Sequence, residues 1–169
     1  KNRKSKNDFL AYYNTFYMAE KYFNDALVMI KTSPTDDDKI SKQAEILLDS
    51  AIENALIIEK EFYETKYLDD ACYILGMSSY YKNRITASNY YFSKLLEQFP
   101  NTDYFNKTNI WLAYIDLKIG ELVRCHLRMK EIESKDLTKY EFLLFYKLKA
   151  DISEYNKNYS NVYQNYVEA

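Results

Sequence analysis

The chain has few of the residues that build turns. It contains only two glycines and two prolines among 169 residues. A β-sandwich or β-barrel needs turn residues at intervals of about eight to twelve residues, so this scarcity excludes a many-stranded sheet protein. Hydrophobic residues make up 47% of the sequence, which is enough for a substantial core. We therefore predict an all-α protein.

Long apolar runs and an excess of one charge are absent as well. No apolar run reaches the length of about 18 residues that a membrane-spanning helix requires. The 23 basic and 25 acidic residues nearly cancel, and no basic stripe extends beyond the first six residues. This pattern disfavours nucleic acid as a partner. We predict a basic flexible tail over residues 1–7, followed by a single helical domain over residues 8–169.

Side chains that commonly carry catalysis are scarce. Cys72 and Cys125 are the only cysteines, and their separation of 53 residues lacks the paired spacing of a zinc or redox motif. We predict that both are buried packing residues, with a disulfide or a reactive thiol as the alternative. His126 is the only histidine and has no recognisable nucleophile partner, so a structural or surface role is predicted.

The acidic run at residues 36–38 is a weak candidate for a calcium loop. A loop that starts at Asp36 would need Gly and Glu where the sequence has Ser41 and Leu47. Thr35 and Asp38 instead resemble a capping box at the start of a helix. Because a phosphate-binding glycine loop is also missing, we predict a protein that is not an enzyme and uses no metal and no cofactor.

Apolar residues at helical spacing predict a long amino-terminal helix hairpin over residues 8–63. Large or apolar side chains recur every three or four residues from Phe9 to Ile30, which predicts a first helix from about Asp8 to Lys31. A second helix is predicted to place seven apolar residues on one face: Ile40, Ala44, Leu47, Ala51, Ala55, Ile58 and Phe62.

The rest of the chain repeats with a period of 37 residues. Three kinds of position recur: a small residue where two helices approach, a residue that ends a helix, and a large residue that fills the space opposite. These sets are Gly76, Ala113 and Ala150; Asn83, Gly120 and Lys157; and Phe92, Met129 and Tyr166. Lys157 departs from the Gly or Asn that a left-handed helix end favours, with Asn158 as the alternative after a shift of one residue.

The period predicts helix-hairpin units at about residues 67–100, 104–137 and 138–169, with the last unit incomplete. Turns are expected near residues 33–36, 64–67, 82–84, 100–103, 119–121, 134–138 and 156–158. Tyr166 would then lie inside a second helix with no polar capping helix after it. Repeat arrays usually need such a cap, so we expect the natural protein to continue past Ala169.

The residues Leu75, Gly76, Asn83, Ile85, Ser88, Phe92, Leu95 and Pro100 follow the pattern of a tetratricopeptide repeat, and the chain resembles that family. The resemblance implies antiparallel helix hairpins stacked into a right-handed superhelix, an α-solenoid whose first helices line a concave groove. It also implies a scaffold that binds a protein or peptide.

Two segments resemble bacterial envelope proteins. The stretch YLDDACYILGMSSYYKNRITASNYYFSKLLEQFPNTDYF is similar to repeat lipoproteins such as that of the outer-membrane barrel-assembly machine. The opening YYNTFYMAEKYFNDAL is similar to lipoproteins of gliding motility and type IX secretion in Bacteroidetes. These resemblances imply an adaptor in the periplasm at the outer membrane, anchored through an upstream lipid. A cytoplasmic regulator or peptide receptor and the docking arm of a larger enzyme are the alternatives.

The spacing of the family implies which residues face the groove. They are Tyr73, Met77, Tyr80 and Tyr81 in the first unit, Ile110, Tyr114, Leu117 and Lys118 in the second, and Lys147, Asp151, Glu154 and Tyr155 in the third. A groove that clamps an acidic carboxyl terminus needs Lys and Asn at positions that here hold Tyr73, Met77 and Trp111, leaving only Lys107. That subtype is therefore disfavoured. The alternative role of several of these tyrosines is to pack against a neighbouring unit.

Overall fold

The computed structural model describes residues 9–10, 15–32, 40–133 and 137–167, and their side chains as far as residue 157 with the exception of Glu133. Within these ranges it contains seven α-helices and no strand, which confirms the all-α prediction. The helices are α1 Tyr17–Thr32, α2 Lys42–Glu61, α3 Leu68–Tyr81, α4 Ile85–Gln98, α5 Phe105–Lys118, α6 Leu122–Glu133 and α7 Lys139–Val167. The chain divides into two compact units, residues 1–102 and residues 103–169.

The expectations for residues 1–8, 11–14 and 33–39 lie outside the described residues. These include the basic tail, part of the first helix, the capping box of Thr35 with Asp38, and the turn at 33–36. A π-helical turn at Thr15 and Phe16 leads directly into α1. The turns expected at 64–67, 82–84, 100–103 and 119–121 are confirmed. Of the turn expected at 134–138, residues 137–138 are described and are non-helical.

In the first unit, α1 and α2 pack together through small side chains. Alanine dominates the contact, because its single methyl group lets two helix backbones come close. The buried residues are Ala19, Phe23 and Ala26 in α1 and Ala44, Leu48, Ala51, Ala55 and Ile58 in α2. The buried stripe thus passes through Leu48, whereas the predicted Leu47 is only half-buried. Ser41 caps α2, since its Oγ accepts a hydrogen bond from the Ala44 amide at 3.2 Å.

Helices α3 and α4 form a hairpin whose turn depends on a left-handed residue. Asn83 has a φ of 56°. Its amide donates to the Tyr80 carbonyl at 2.9 Å, and the Arg84 amide donates to the Ser79 carbonyl at 2.8 Å. This pair of bonds is a Schellman motif, which satisfies the last carbonyl groups of α3. The helix end predicted at Asn83 is confirmed.

Gly76 permits the close approach of α3 and α4. A Cβ atom built on Gly76 would lie 2.5 Å from Cδ1 and Cε1 of Phe92, so the ring occupies the space that any larger residue would need. Phe92 is completely buried. The Ser88 hydroxyl donates to the Gly76 carbonyl at 2.8 Å and so ties the two helices together at the same point. The predicted pairing of Gly76 with Phe92 is confirmed.

In the second unit, α5 and α6 form another hairpin with the same type of turn. Gly120 has a φ of 80°. Its amide donates to the Leu117 carbonyl at 3.1 Å, and the Glu121 amide donates to the Asp116 carbonyl at 2.8 Å. Behind this turn, one apolar cluster joins all three helices of the unit: Ile110, Ala113, Cys125, Met129, Ile132, Phe145, Leu148 and Ile152.

Helix α7 departs from the predicted third hairpin. It runs through 29 residues, so the turn expected at 156–158 is wrong. The physical reason lies in the sequence, which has no glycine or proline after Gly120 to stop a helix. Ala150, predicted to sit where two helices approach closely, is instead exposed in the part of the chain that the structure describes.

Candidate protein-binding site

Three of the four predicted groove residues of the first unit lie at the surface of α3. Tyr73, Tyr80 and Tyr81 are half-buried. Because Tyr73 and Tyr80 are seven residues apart, they lie on the same face of the helix. The Tyr80 and Tyr81 rings meet edge to face, with centroids 6.0 Å apart. The Tyr73 ring contacts Phe92 at 6.1 Å between centroids, which links it to the core of the hairpin. These contacts hold the rings in place while leaving part of each exposed.

Two predicted groove residues lie inside the protein. Met77 is 3% exposed and Ile110 is fully buried. Ile110 belongs to the apolar cluster of the second unit. The prediction that they face an exposed groove is wrong. Both lie on helices that are mostly buried, and removing an apolar side chain from water is favourable, so the two side chains pack in the core. Neither side chain is available to a partner.

The predicted residues of α5 lie at its edge. Tyr114 and Leu117 are half-buried against the apolar cluster, and Lys118 is exposed. The Tyr114 hydroxyl donates to the Leu144 carbonyl of α7 at 3.4 Å. Its ring also packs against Trp111, with centroids 5.4 Å apart. Tyr114 therefore joins α5 to α7 and keeps its ring in a defined position.

The predicted residues of α7 differ in exposure. Lys147 and Glu154 are exposed, whereas Asp151 and Tyr155 are half-buried. The Tyr155 hydroxyl lies 3.5 Å from where a Cβ of Gly120 would stand, so this side chain reaches the turn between α5 and α6. Within the second unit, Tyr114 and Tyr155 thus act mainly as packing residues, and Lys147 and Glu154 are the more accessible ones.

A buried carboxylate between α5 and α6 was not expected from the sequence. Asp116 is almost completely buried. Its Oδ1 accepts from Nε of Arg124 at 3.1 Å, and its Oδ2 accepts from Nε of Arg128 at 2.9 Å. Charge-assisted hydrogen bonds of this kind compensate the loss of hydration. A signal was present in the sequence, since the two arginines are four residues apart and so share one helix face.

The cysteines and the histidine show no arrangement suited to catalysis. Cys72 and Cys125 are free and buried, as predicted. Burial raises the pKa of each thiol to about 11, so both are protonated at neutral pH. His126 is exposed, and its Nδ1 lies 2.7 Å from the Leu122 carbonyl of the preceding turn. Among the described residues, no three His, Cys, Asp or Glu side chains come together as metal ligands would.

Exposed apolar side chains on α6 and α7 were also missed. Val123 and Leu127 lie on the outer face of α6, and Phe142, Leu143 and Tyr146 lie on the outer face of α7. The segment EFLLFYKL has apolar residues on more than one face, which was the available signal. None of the helices in the described ranges is long and apolar enough to cross a membrane.

A comparison with models of known protein families gave no match, and a comparison with curated proteins found no significant similarity.

Proposed function

We propose that this chain is a non-enzymatic scaffold of the tetratricopeptide type, which binds a partner protein through partly exposed tyrosines on α3, the first helix of the α3–α4 hairpin. The observation that carries the proposal is the set of tyrosines on α3, which are partly exposed and held by ring contacts. Tyrosine supplies a large contact area and loses little conformational entropy when its ring is already fixed. A pre-positioned tyrosine surface is therefore well suited to binding.

The repeat type is supported by features that recur at the step of 37 residues. Both hairpins end their first helix with a Schellman motif, at Asn83 and at Gly120. Both place a small residue at the helix contact, Gly76 in one and Ala113 in the other, and both bury the matching large residue. Equivalent side chains in equivalent roles are what repetition of one structural unit produces.

The proposed setting is a bacterial envelope assembly, with the chain tethered through an upstream lipid. This part of the proposal is supported by the resemblance of the α3–α4 segment to envelope lipoproteins. The test is fractionation of cells that express the full-length natural protein, followed by detection in the outer-membrane fraction. Recovery in the cytoplasmic fraction would favour a regulator or peptide receptor of the same fold.

Site-specific photo-crosslinking tests the binding surface. A benzophenone amino acid at position 80 or 81 is expected to capture one defined protein in cells that make the natural protein. The matched control places the same group at Tyr63, which is 62% exposed but lies in the turn between α2 and α3. The same product from position 63, or none from positions 80 and 81, would contradict the proposed surface.

The affinity of the captured partner provides the second measurement. The double variant Tyr80→Ala with Tyr81→Ala is expected to weaken binding by about 2 kcal/mol, because aromatic anchors dominate interface energetics. Its melting temperature is expected to stay close to that of the wild type. Tyr73 is left out of this variant because its ring contacts Phe92 in the core, so that its removal would change stability as well as binding.

A further inference from the structure

Helix α7 exposes an apolar face on the side opposite the core. We call Phe142, Leu143, Tyr146 and Ala150 the α7 outer face. Leu143 is 60% exposed and Tyr146 is 51% exposed. The rings of Phe142 and Tyr146 pack together with centroids 4.3 Å apart, so they form one continuous surface. The opposite side of the same helix carries Phe145, Leu148 and Ile152 into the apolar cluster. Helix α7 is thus apolar on two sides, of which one is buried.

The step of 37 residues identifies what covers the same positions elsewhere in the chain. One and two steps back from the α7 outer face lead to residues of α5 and α3, which pack against α6 and α4 respectively. The equivalents of Phe142, Tyr146 and Ala150 are Phe105, Asn109 and Ala113 in α5 and Leu68, Cys72 and Gly76 in α3. Gly76 lies against Phe92 of α4, and Ala113 shares an apolar cluster with Cys125 and Met129 of α6, so a following helix covers this part of the face in both hairpins. The equivalents of Leu143 are Asn106 and Asp69, which are half-buried. In α7 the same face is exposed.

Three lysines flank the α7 outer face. Lys139 and Lys147 are exposed, and Lys149 lies over the rings of Phe145 and Tyr146 at 4.9 and 5.3 Å. The only acidic side chain between residues 139 and 150 is Glu141, which is 3% exposed. It accepts from the Thr138 amide at 2.8 Å as part of the helix cap, so it does not offset the lysines at the surface. The rim is therefore basic along residues 139–149, whereas Asp151 and the exposed Glu154 follow after Ala150.

We propose that the α7 outer face binds an amphipathic helix of another protein. That helix presents a stripe at positions i, i+4 and i+7 with a small residue followed by two large apolar ones, as α4 does with Ser88, Phe92 and Leu95, and acidic residues beside the stripe. The first property follows from the helices that cover the equivalent faces of α3 and α5, and the second from the basic rim. This inference rests on the repeat register of the proposed function, but the surface itself shares only Lys147 with the predicted groove.

The probe is a fluorescein-labelled peptide with the sequence of α4, Ile85–Gln98, carrying Asn89→Glu, Tyr90→Glu and Lys94→Glu. A control peptide carries lysine at the same three positions. Fluorescence anisotropy with the full chain is expected to show saturable binding of the acidic peptide and at least tenfold weaker binding of the lysine peptide. Equal binding of the two peptides, or no saturable binding of the acidic one, would overturn the proposal.

Two protein variants locate the binding surface. Leu143→Ser with Tyr146→Ser is expected to weaken binding of the acidic peptide at least tenfold. Val123→Ser with Leu127→Ser is the matched control, because it removes an equally exposed apolar pair from α6 and is expected to leave binding unchanged. An equal loss in both variants would show non-specific adhesion and would overturn the proposal.

Three further outcomes would assign the surface to a different occupant and reject a helix of another protein. The first is a dimer in analytical ultracentrifugation that Leu143→Ser with Tyr146→Ser dissociates, which would indicate a second copy. The second is a melting temperature lowered by several degrees in that variant but not in the α6 control, which would show that the chain itself covers the face. The third is tight binding to phosphatidylserine vesicles that the same variant abolishes while peptide binding persists.

Discussion

The two hairpins share one backbone design but fill it with different chemistry. In α3–α4, Gly76 leaves room for the buried ring of Phe92, and the Ser88 hydroxyl bonds to the Gly76 carbonyl. In α5–α6, the equivalent positions hold Ala113, Met129 and Cys125, which lie in one apolar cluster. A rigid ring requires the space of a missing side chain, whereas a flexible thioether adapts to a methyl group. The comparison shows that the small and large positions are chosen as pairs.

The hairpins also differ in their polar contacts. The first unit has a half-exposed carboxylate, Asp49, whose Oδ2 accepts from Lys82 at 2.8 Å while Arg84 lies 3.6 Å from Oδ1. The second unit has the buried Asp116 with two arginines. Solvent reaches the carboxylate of the first group and not that of the second, although the Lys82 side chain is buried and the Arg124 side chain is half-exposed. Both groups join neighbouring helices, yet we expect only the buried one to contribute strongly to stability.

The largest expected effects concern the large buried residues of the two hairpins, Phe92 and Met129. Phe92→Ala is expected to lower the free energy of unfolding by about 3–5 kcal/mol, because a completely buried ring leaves a cavity. Met129→Ala is expected to cost less, about 2–3 kcal/mol. Chemical denaturation of both variants measures the difference. An equal loss in the free energy of unfolding would contradict the distinction between a rigid ring at position 92 and an adaptable side chain at position 129.

The pairing of small with large residues predicts a coupling between positions 76 and 92. Gly76→Ala is expected to cost about 2–3 kcal/mol, because the new methyl group would overlap the Phe92 ring. In a Phe92→Leu background the same change is expected to cost at least about 1 kcal/mol less. Ala113→Gly, the reverse change in the other hairpin, should cost about 1 kcal/mol from backbone entropy alone. Additive effects at 76 and 92 would contradict the proposed contact.

The two carboxylates provide a matched pair of substitutions. Asp116→Asn is expected to cost about 2 kcal/mol, since the amide can accept from one arginine but presents a donor to the other. Asp49→Asn, at a half-exposed site, is expected to cost about 0–1 kcal/mol. Thermal unfolding at low and at high salt checks both values. A salt-sensitive loss at Asp116 equal to that at Asp49 would show that burial makes no difference.

The smallest expected effects concern the helix caps of the two units. Thr138→Ala removes the bond that the Thr138 hydroxyl accepts from the Glu141 amide and leaves the bond from the Thr138 amide to the Glu141 carboxylate. Ser41→Ala removes the bond from the Ala44 amide. Each change is expected to cost about 1 kcal/mol. Thr138→Ser should restore most of the loss, because its hydroxyl can accept the same bond. If only Ser41→Ala has an effect, then α7 does not depend on its capping box.

Local sequence signals predicted most of the helices that the structure describes. They failed at positions whose burial depends on contacts between residues far apart in the sequence. Asn83 and Gly120 marked helix ends because few other residues tolerate a left-handed backbone. The prediction of a third hairpin is wrong because neither Lys157, which departs from these residue types, nor the neighbouring Asn158 ends the helix. At the candidate site, Tyr73, Tyr80 and Tyr81 lie at the surface, whereas Met77 and Ile110 are buried. The spacing of residues along one helix shows which of them share a face, but it does not show whether another helix covers that face.

The sequence by itself determined the all-helical class, the positions of the described turns, and the pairing of Gly76 with Phe92. These features depend on local backbone preference and on a period that can be counted. Only the tertiary structure decided that Asp116 is buried between two arginines and that the α7 outer face is exposed. The physical reason is that burial depends on which helices pack together, and a chain can satisfy the same local spacing with or without a neighbour on that face.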